Sequence, residues 1–331
     1  MPPQVASISL SVLQAPVRNE LDGVHDELRR IILSDFPPIA EANAHLLHMR
    51  GKMFRPTLLL LAARCTGTGA LTPRHVTLGA VVELIHLATL VHDDSVDHSV
   101  LRRGQPTLNA MFSHQVAVIM GDYLYSRAII ELVGMDDPGP LRVMAQVTNE
   151  MTVGEMRQLA AHDVLDYTRA DYDRLIRSKT ASLMAAACEI GALQGSREER
   201  EHLRRYGQFL GMAFQVTDDL LDYTETEAVT GKPTGLDLRE HKITLPLIAA
   251  LPRMTHEERQ VVADLMRDPE PGDDLIAAVI RLVEARGGIA AAQERAAQLA
   301  HLAEDELTLI GPGPARDALR DCVVYAIERR N

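Results

Sequence analysis

Apolar residues recur three and four positions apart along most of this chain, the spacing that gathers them on one face of an α-helix. Segments 21–33, 54–65, 75–98, 114–133, 141–161, 171–192 and 198–223 all carry it. The first half is rich in Ala, Leu and Met, which are good helix formers. Breakers fall between the periodic segments, at 66–69, 103–106, 136–140, 231–235 and 311–314. There is no strand-like alternation of useful length, no Gly-rich nucleotide loop and no repeat of fixed period. Segments 75–98 and 198–223 are apolar on most faces until their C-terminal ends, as helices surrounded by other helices are. Beyond about residue 224 the chain is more charged and reads as an outer layer. The pattern therefore predicts an all-α fold, one large helical bundle forming a single domain over 1–331, with about 1–15 disordered.

Composition narrows the function. Lys+Arg number 34 against 46 Asp+Glu, a formal net charge of −12, so the surface as a whole repels nucleic acid and anionic lipid. An anionic substrate must then be held by a local cluster of cations or by metal ions. Cys65, Cys188 and Cys322 lie far apart in sequence and form no CxxC pair, which predicts reduced, buried thiols. The longer apolar segments are interrupted by charges, and no membrane span is expected. The N-terminal stretch 1–16 has no secretory pattern. A cytoplasmic protein with no nucleic-acid partner and no stable membrane insertion is the expectation.

Two acidic clusters close the two most apolar segments: Asp93-Asp94-Ser95-Val96-Asp97 and Asp218-Asp219-Leu220-Leu221-Asp222. Each has the form DDxxD, which on a helix puts the first and last carboxylates on one face at i and i+4. One such cluster in an acidic protein reads as a solvated helix end. Two, each opposing its own helix dipole, call for a compensating cation. Hard oxygen donors select Mg²⁺, which keeps part of its water shell and is completed by substrate phosphates. Cations are dispersed around the acids: Lys52, Arg55, Arg102, Arg103, Lys179, Lys232 and Lys242. Together they describe a site for two diphosphates, one bridged by metal and one held by side chains. His86 precedes Asp93 by seven residues, two turns along nearly the same face, and so borders the same space.

The chain resembles the trans-isoprenyl (polyprenyl) diphosphate synthase family over about 51–246. The motifs occur in order: Gly51-Lys52…Arg55-Pro56, Glu83…His86, Asp93-Asp94…Asp97, Arg102-Arg103-Gly104, Gly121-Asp122, Gly154-Glu155…Gln158, Lys179-Thr180, Phe214-Gln215, Asp218-Asp219…Asp222, Gly231-Lys232, Gly235…Asp237 and Lys242…Thr244-Leu245-Pro246. The resemblance implies an isoprenoid synthase bundle around a central cavity. It further implies Mg²⁺-dependent head-to-tail condensation of isopentenyl diphosphate with an allylic diphosphate, with three ions on the allylic diphosphate. By the same resemblance Lys52, Arg55, His86 and Arg103 bind isopentenyl diphosphate. Asp93, Asp97 and Asp218 hold metal, with Asp94, Asp219 and Asp222 supporting the same sites directly or through water. Arg102, Lys179, Lys232 and Lys242 contact the allylic diphosphate, and Thr180 and Gln215 line the reacting carbon. A homodimer is implied, with 116–133 at its interface. The chain departs from the family at Met53 and His241, where Arg and Gly are common.

In that family the residues just before the first acidic cluster face the growing tail. Here they are Ala88 and Thr89, both small, with Met120, Tyr123, Leu124 and Arg127 as candidate floor residues on the next helix. General similarity is nearest to long-chain synthases that make quinone side chains, so a product of C25 or longer is expected. The alternatives are a geranylgeranyl or farnesyl diphosphate synthase, a class I terpene cyclase, and a noncatalytic subunit of a heteromeric synthase. The second DDxxD and the cations at Lys52 and Arg55 speak against the last two.

Overall fold

The computed structural model describes residues 8–49, 51–159, 166–224 and 234–328. Along the chain run α1 (Leu10–Gln14), α2 (Arg18–Ile31), α3 (Pro37–His48), α4 (Phe54–Cys65) and α5 (Pro73–Val96). A short hairpin follows, β1 (Leu101–Arg102) and β2 (Gln105–Pro106), then α6 (Leu108–Met111), α7 (His114–Gly134) and α8 (Pro138–Leu159). Next, α9 (Arg169–Ile176) passes through one π-helical turn (Arg177–Ala181) into α10 (Ser182–Gly191), which leads to α11 (Arg197–Thr224). The remainder is α12 (Leu236–Arg239), α13 (Leu245–Ala250), α14 (His256–Arg267), α15 (Asp273–Ala285), α16 (Gly288–Leu307) and α17 (Pro314–Glu328). The architecture is the expected all-α bundle.

Local chemistry sets the element ends. Pro73 occupies the first turn of α5, and Thr72 and His75 cap it reciprocally. Ser113 caps α7 by accepting from the Val116 amide, and Thr168 and Asp171 form a capping box on α9. The innermost helices are α4 and α10, buried from Pro56 to Ala63 and from Ser182 to Cys188. Each fully buried Leu of α4 contributes roughly 1.5–3 kcal/mol of apolar transfer. α5 packs along α7, α2 and α4, while α11 lies between α10 and α16.

Small residues let these helices close on the π turn. A Cβ on Gly211 of α11 would sit 2.6 Å from the Cα of Ala181, and one on Gly154 of α8 would sit 2.7 Å from the Cβ of Ser178. Across the turn Ser178 Oγ donates to Arg174 O and Ser182 Oγ to Ser178 O.

Two expectations need correction. Disorder does not extend to residue 15: α1 is helical and Leu13 is fully buried. α5 is long and apolar enough to cross a membrane, contrary to the sequence reading, but most of that stretch is buried by neighbouring helices. Its apolarity reflects a central position in the bundle. As expected for reduced thiols, burial keeps all three cysteines protonated, and Cys188 and Cys322 sit in the same buried core. All three are free.

Candidate active site

The first acidic cluster owes its shape to the chain reversal that follows it. Asp97 terminates α5, its amide bonding to Asp93 O at 2.8 Å, and His98 takes a left-handed conformation at φ 53°. The hairpin then turns through Arg103 and Gly104, with φ of 53° and 73°, the positive-φ pair of a tight two-residue turn. That turn lays Arg102 across Asp94: Nε is 2.8 and 2.9 Å from the two carboxylate oxygens, and a terminal nitrogen is 2.8 Å from Oδ1. Asp94 is buried beneath this fork. Asp93 instead meets Lys179 from the π turn, Nζ to Oδ2 at 3.8 Å, and the same ammonium pairs with Glu155 of α8 at 2.6 Å. Burial raises the Asp93 pKa to about 6, against the pull of Lys179. Asp97 accepts from Lys242 at 3.3 Å, and Lys242 also reaches Glu240 at 2.7 Å.

The second cluster divides in the same way. Asp219 is buried, with Oδ2 accepting from the Tyr172 hydroxyl at 2.5 Å and Oδ1 from Gln215 Nε2 at 2.8 Å. Thr180 Oγ1 in turn donates to Gln215 Oε1 at 2.8 Å. Burial and the nearby Asp237 push the Asp219 carboxyl well above its usual range. Asp222 caps α12, its oxygens accepting from the amides of Leu236 and Asp237 at 3.0 Å each. Asp218 is exposed. Asp237 enters this cluster from α12, its pKa raised to about 7 by burial and by Asp222, while Lys242 draws it down. Lys242 joins the two clusters, since its amide also bonds Asp237 O at 2.7 Å. His241 holds the preceding turn, at φ 55°, through Nε2 and Asp268 O at 2.8 Å.

The six aspartates read as metal residues are therefore of two kinds. Asp93 and Asp97 pair with the ammoniums of Lys179 and Lys242, and Asp218 is exposed. Asp94, Asp219 and Asp222 spend oxygens on Arg102, on Tyr172 and Gln215, and on helix amides. Among the described residues no three Asp, Glu, His or Cys side chains converge into a ready-made cage. That suits an ion completed by water and phosphate. Burial is the main cause that raises Asp93 to about 6 and Asp237 to about 7, and the neighbouring lysines only partly offset it.

A cradle of cations lies beside α5. Glu83 is buried between Arg55 and Arg103; burial raises its pKa and the two guanidiniums draw it down. His86 is driven well below its usual pKa by burial and by Arg55, Arg103 and Arg102, which leaves a neutral imidazole. The buried Arg55 Nε has no hydrogen-bond partner, an unusual condition that an anion would relieve. Gly51 is required here, because a Cβ would sit 2.8 Å from Glu83 Oε1. Lys52 is exposed at the start of α4, next to the left-handed Met53. The structure thus gathers Arg55, His86 and Arg103, with Lys52 at the rim. Lys232 lies outside the described residues.

Ala88 is buried and Thr89 half-buried, its hydroxyl donating to His86 O at 2.8 Å. Tyr123 and Arg127 hydrogen-bond to the carbonyls of Ile32 and Ile31 at the end of α2. Met120 and Leu124 are buried in the core. Sequence reasoning left Glu155, Asp237 and Glu83 as motif letters without roles, and missed Tyr172. The only signal for Tyr172 is its place seven residues before Lys179.

Known proteins resemble the chain closely. A family model described as Polyprenyl synthetase matches residues 37–283. Heptaprenyl diphosphate synthase component 2 of Geobacillus stearothermophilus is 36% identical over 324 residues, covering 97% of this chain and 99% of that protein. Octaprenyl diphosphate synthase of Escherichia coli is 35% identical over 324 residues with the same coverage. A crystal structure of a polyprenyl synthase from Caulobacter crescentus, complexed with calcium and isoprenyl diphosphate, superposes with a TM-score of 0.92 at 34% identity. That match spans 99% of this chain and 100% of the other.

The buried charge balance of the cradle is open to test. Glu83→Gln leaves Arg55 and Arg103 without their shared counter-charge, and chemical denaturation should show a loss of about 3 kcal/mol. Unchanged stability would mean that Glu83 does not carry the balance.

Proposed function

The chain belongs to the polyprenyl synthetase family, and from that membership we propose that it adds isopentenyl diphosphate units to an allylic diphosphate, making a trans-polyprenyl diphosphate of C25 or longer. It is a prenyltransferase. The observation that carries the reading is the joining of the two acidic clusters through Lys242, beside a cradle of Arg55, Arg103 and His86.

The donor set fits Mg²⁺. Asp93, Asp97 and Asp218 would hold it, and we propose three ions once the allylic diphosphate is bound. Bound there, the metal would neutralise the allylic diphosphate and make it a better leaving group. The chain's own residues do the rest. Lys179 and Lys242 are the resting counter-ions of Asp93 and Asp97. Their flexible stems let both ammoniums turn to phosphate. Arg102 keeps further N–H donors beyond those facing Asp94. Lys232 is assigned to the same diphosphate by the family motif alone. Lys52, Arg55 and Arg103 receive the diphosphate of isopentenyl diphosphate, with neutral His86 as a hydrogen-bonding partner. Thr180 and Gln215 present oxygen to the allylic carbon as its C–O bond breaks, and the double bond of isopentenyl diphosphate then attacks. Water must be kept out while the carbon is cationic.

Tail length follows from the seam between α5 and α7. Ala88 and Thr89 leave its upper part without a bulky plug, and Tyr123 and Arg127 are drawn toward α2. Near the N-terminal end of α5 a surface-open cavity of about 500 Å³ is lined by Arg74, Thr77, Ile130, Glu131 and Met135, among others. Thr77 lies sixteen residues below Asp93, about 24 Å along the helix.

With Mg²⁺, isopentenyl diphosphate and a farnesyl primer, chromatography of the dephosphorylated products should give alcohols of C25 or longer. Thr89→Phe should shorten them to about the geranylgeranyl length. A wild-type product that stops at farnesyl or geranylgeranyl would refute the long-chain assignment.

We also propose a cytoplasmic homodimer. Ile119, Ile130 and Val133 of α7 and Met156 and Leu159 of α8 are each more than half exposed, a density of apolar surface that marks an interface. Sedimentation should give twice the chain mass for the protein alone. A monomer that gains activity only with a second, different subunit would favour a heteromeric enzyme, as the name "component 2" of one relative suggests for that protein.

A further inference from the structure

We propose that Tyr172 is a positioning residue for the chemical step, acting through Asp219 to fix the direction of the Gln215 amide. The inference rests on the prenyltransferase reading above, in which Gln215 and Thr180 face the allylic carbon.

Four side chains form one continuous chain of hydrogen bonds. Tyr172 is 1% exposed on α9 and donates to Asp219 Oδ2 at 2.5 Å. Asp219, 5% exposed, accepts at its other oxygen from Gln215 Nε2 at 2.8 Å, one turn back on α11. Gln215 Oε1 accepts from Thr180 Oγ1 at 2.8 Å, on the π turn. The relay starts and finishes on one segment, 172–180, and crosses to α11 between, so the π turn sets the span it must bridge.

The direction of these bonds gives the relay its use. The tyrosine hydrogen and one amide hydrogen point at Asp219, and the threonine hydrogen points at the Gln215 carbonyl. What remains at the half-buried end is oxygen: the lone pairs of Thr180 and the carbonyl of Gln215, one residue from Lys179 and its contact with Asp93. Oxygen lone pairs attract a developing allylic cation, whereas an amide N–H₂ would repel it. An amide can lie either way round, and its neighbours decide which. Asp219 decides for Gln215, and Tyr172 holds Asp219 in place. A buried carboxylate deprived of one of its two donors would shift toward other partners and release the amide. Asp219 is thereby a positioning group within a motif otherwise read as metal-binding.

Tyr172→Phe keeps the ring and removes only the hydroxyl. Its kcat should fall roughly 10- to 100-fold, the usual range for loss of an outer-shell partner, with KM for both substrates within about twofold and the melting temperature near wild type. Primer should also be lost to hydrolysis. There the allylic C–O bond breaks, pyrophosphate leaves with the electron pair, water adds its oxygen to the same carbon, and pyrophosphate takes the proton. The ratio of prenyl alcohol to elongated product should therefore rise. In a double-mutant cycle, Tyr172→Phe should cost little further rate in a Gln215→Leu background. Asp219→Asn, nearly isosteric, should raise the same ratio and serves if the tyrosine variant folds poorly. Wild-type rate and ratio in Tyr172→Phe, or losses that multiply in the cycle, would overturn the proposal. A wild-type enzyme that elongates no primer would instead overturn the reading beneath it.

Discussion

Mutual repulsion among carboxylates is the constraint on which this structure turns. Two helices bring acidic clusters to their C-terminal ends, where the helix dipole is already negative, and the fold then sets those ends near one another. The surrounding cations answer that arrangement. Lys179 leans on Asp93 and Glu155, Lys242 on Asp97 and Glu240, and Arg102 clamps Asp94. Without substrate the site holds itself together with ammonium groups that can leave. In the proposed function a diphosphate with Mg²⁺ would answer the same imbalance, and a protein of net charge −12 could thereby hold highly anionic substrates.

Each cluster assigns different work to adjacent aspartates. In each DDxxD the second residue faces inward, where Arg102 buries Asp94 and Tyr172 with Gln215 buries Asp219, while Asp93 meets Lys179 and Asp218 is exposed. The fifth position differs between the two: Asp97 ends its helix and meets Lys242, while Asp222 caps α12 and so fixes the segment that delivers Asp237 and Lys242. One motif thus carries both the charge that binds and the hydrogen bonds that hold it in place. The cradle beside α5 follows a similar rule, with buried Glu83 balancing Arg55 and Arg103 so that the guanidiniums can sit together.

Much of this was legible in the sequence because helical periodicity survives in long, amphipathic or fully apolar segments. The helix at 54–65 was read with its final bounds, and those at 75–98 and 198–223 to within two residues. α3 escaped notice because its pattern is short and opens on two prolines. The π turn was invisible, since it leaves the apolar period almost intact. Tyr172 carries no motif, and nothing in spacing says that its hydroxyl finds a carboxylate forty-seven residues away.

The central claim is that Asp93, Asp97 and Asp218 form half of a metal site whose other half is the substrate's diphosphate. Titration calorimetry of Mg²⁺ into the protein, with and without an uncleavable allylic diphosphate analogue, tests it most directly. The account predicts weak binding to the protein alone and binding at least tenfold tighter with the analogue present, a coupling that Asp218→Ala removes. Tight Mg²⁺ binding that ignores the analogue, or coupling that survives in Asp218→Ala, would contradict it.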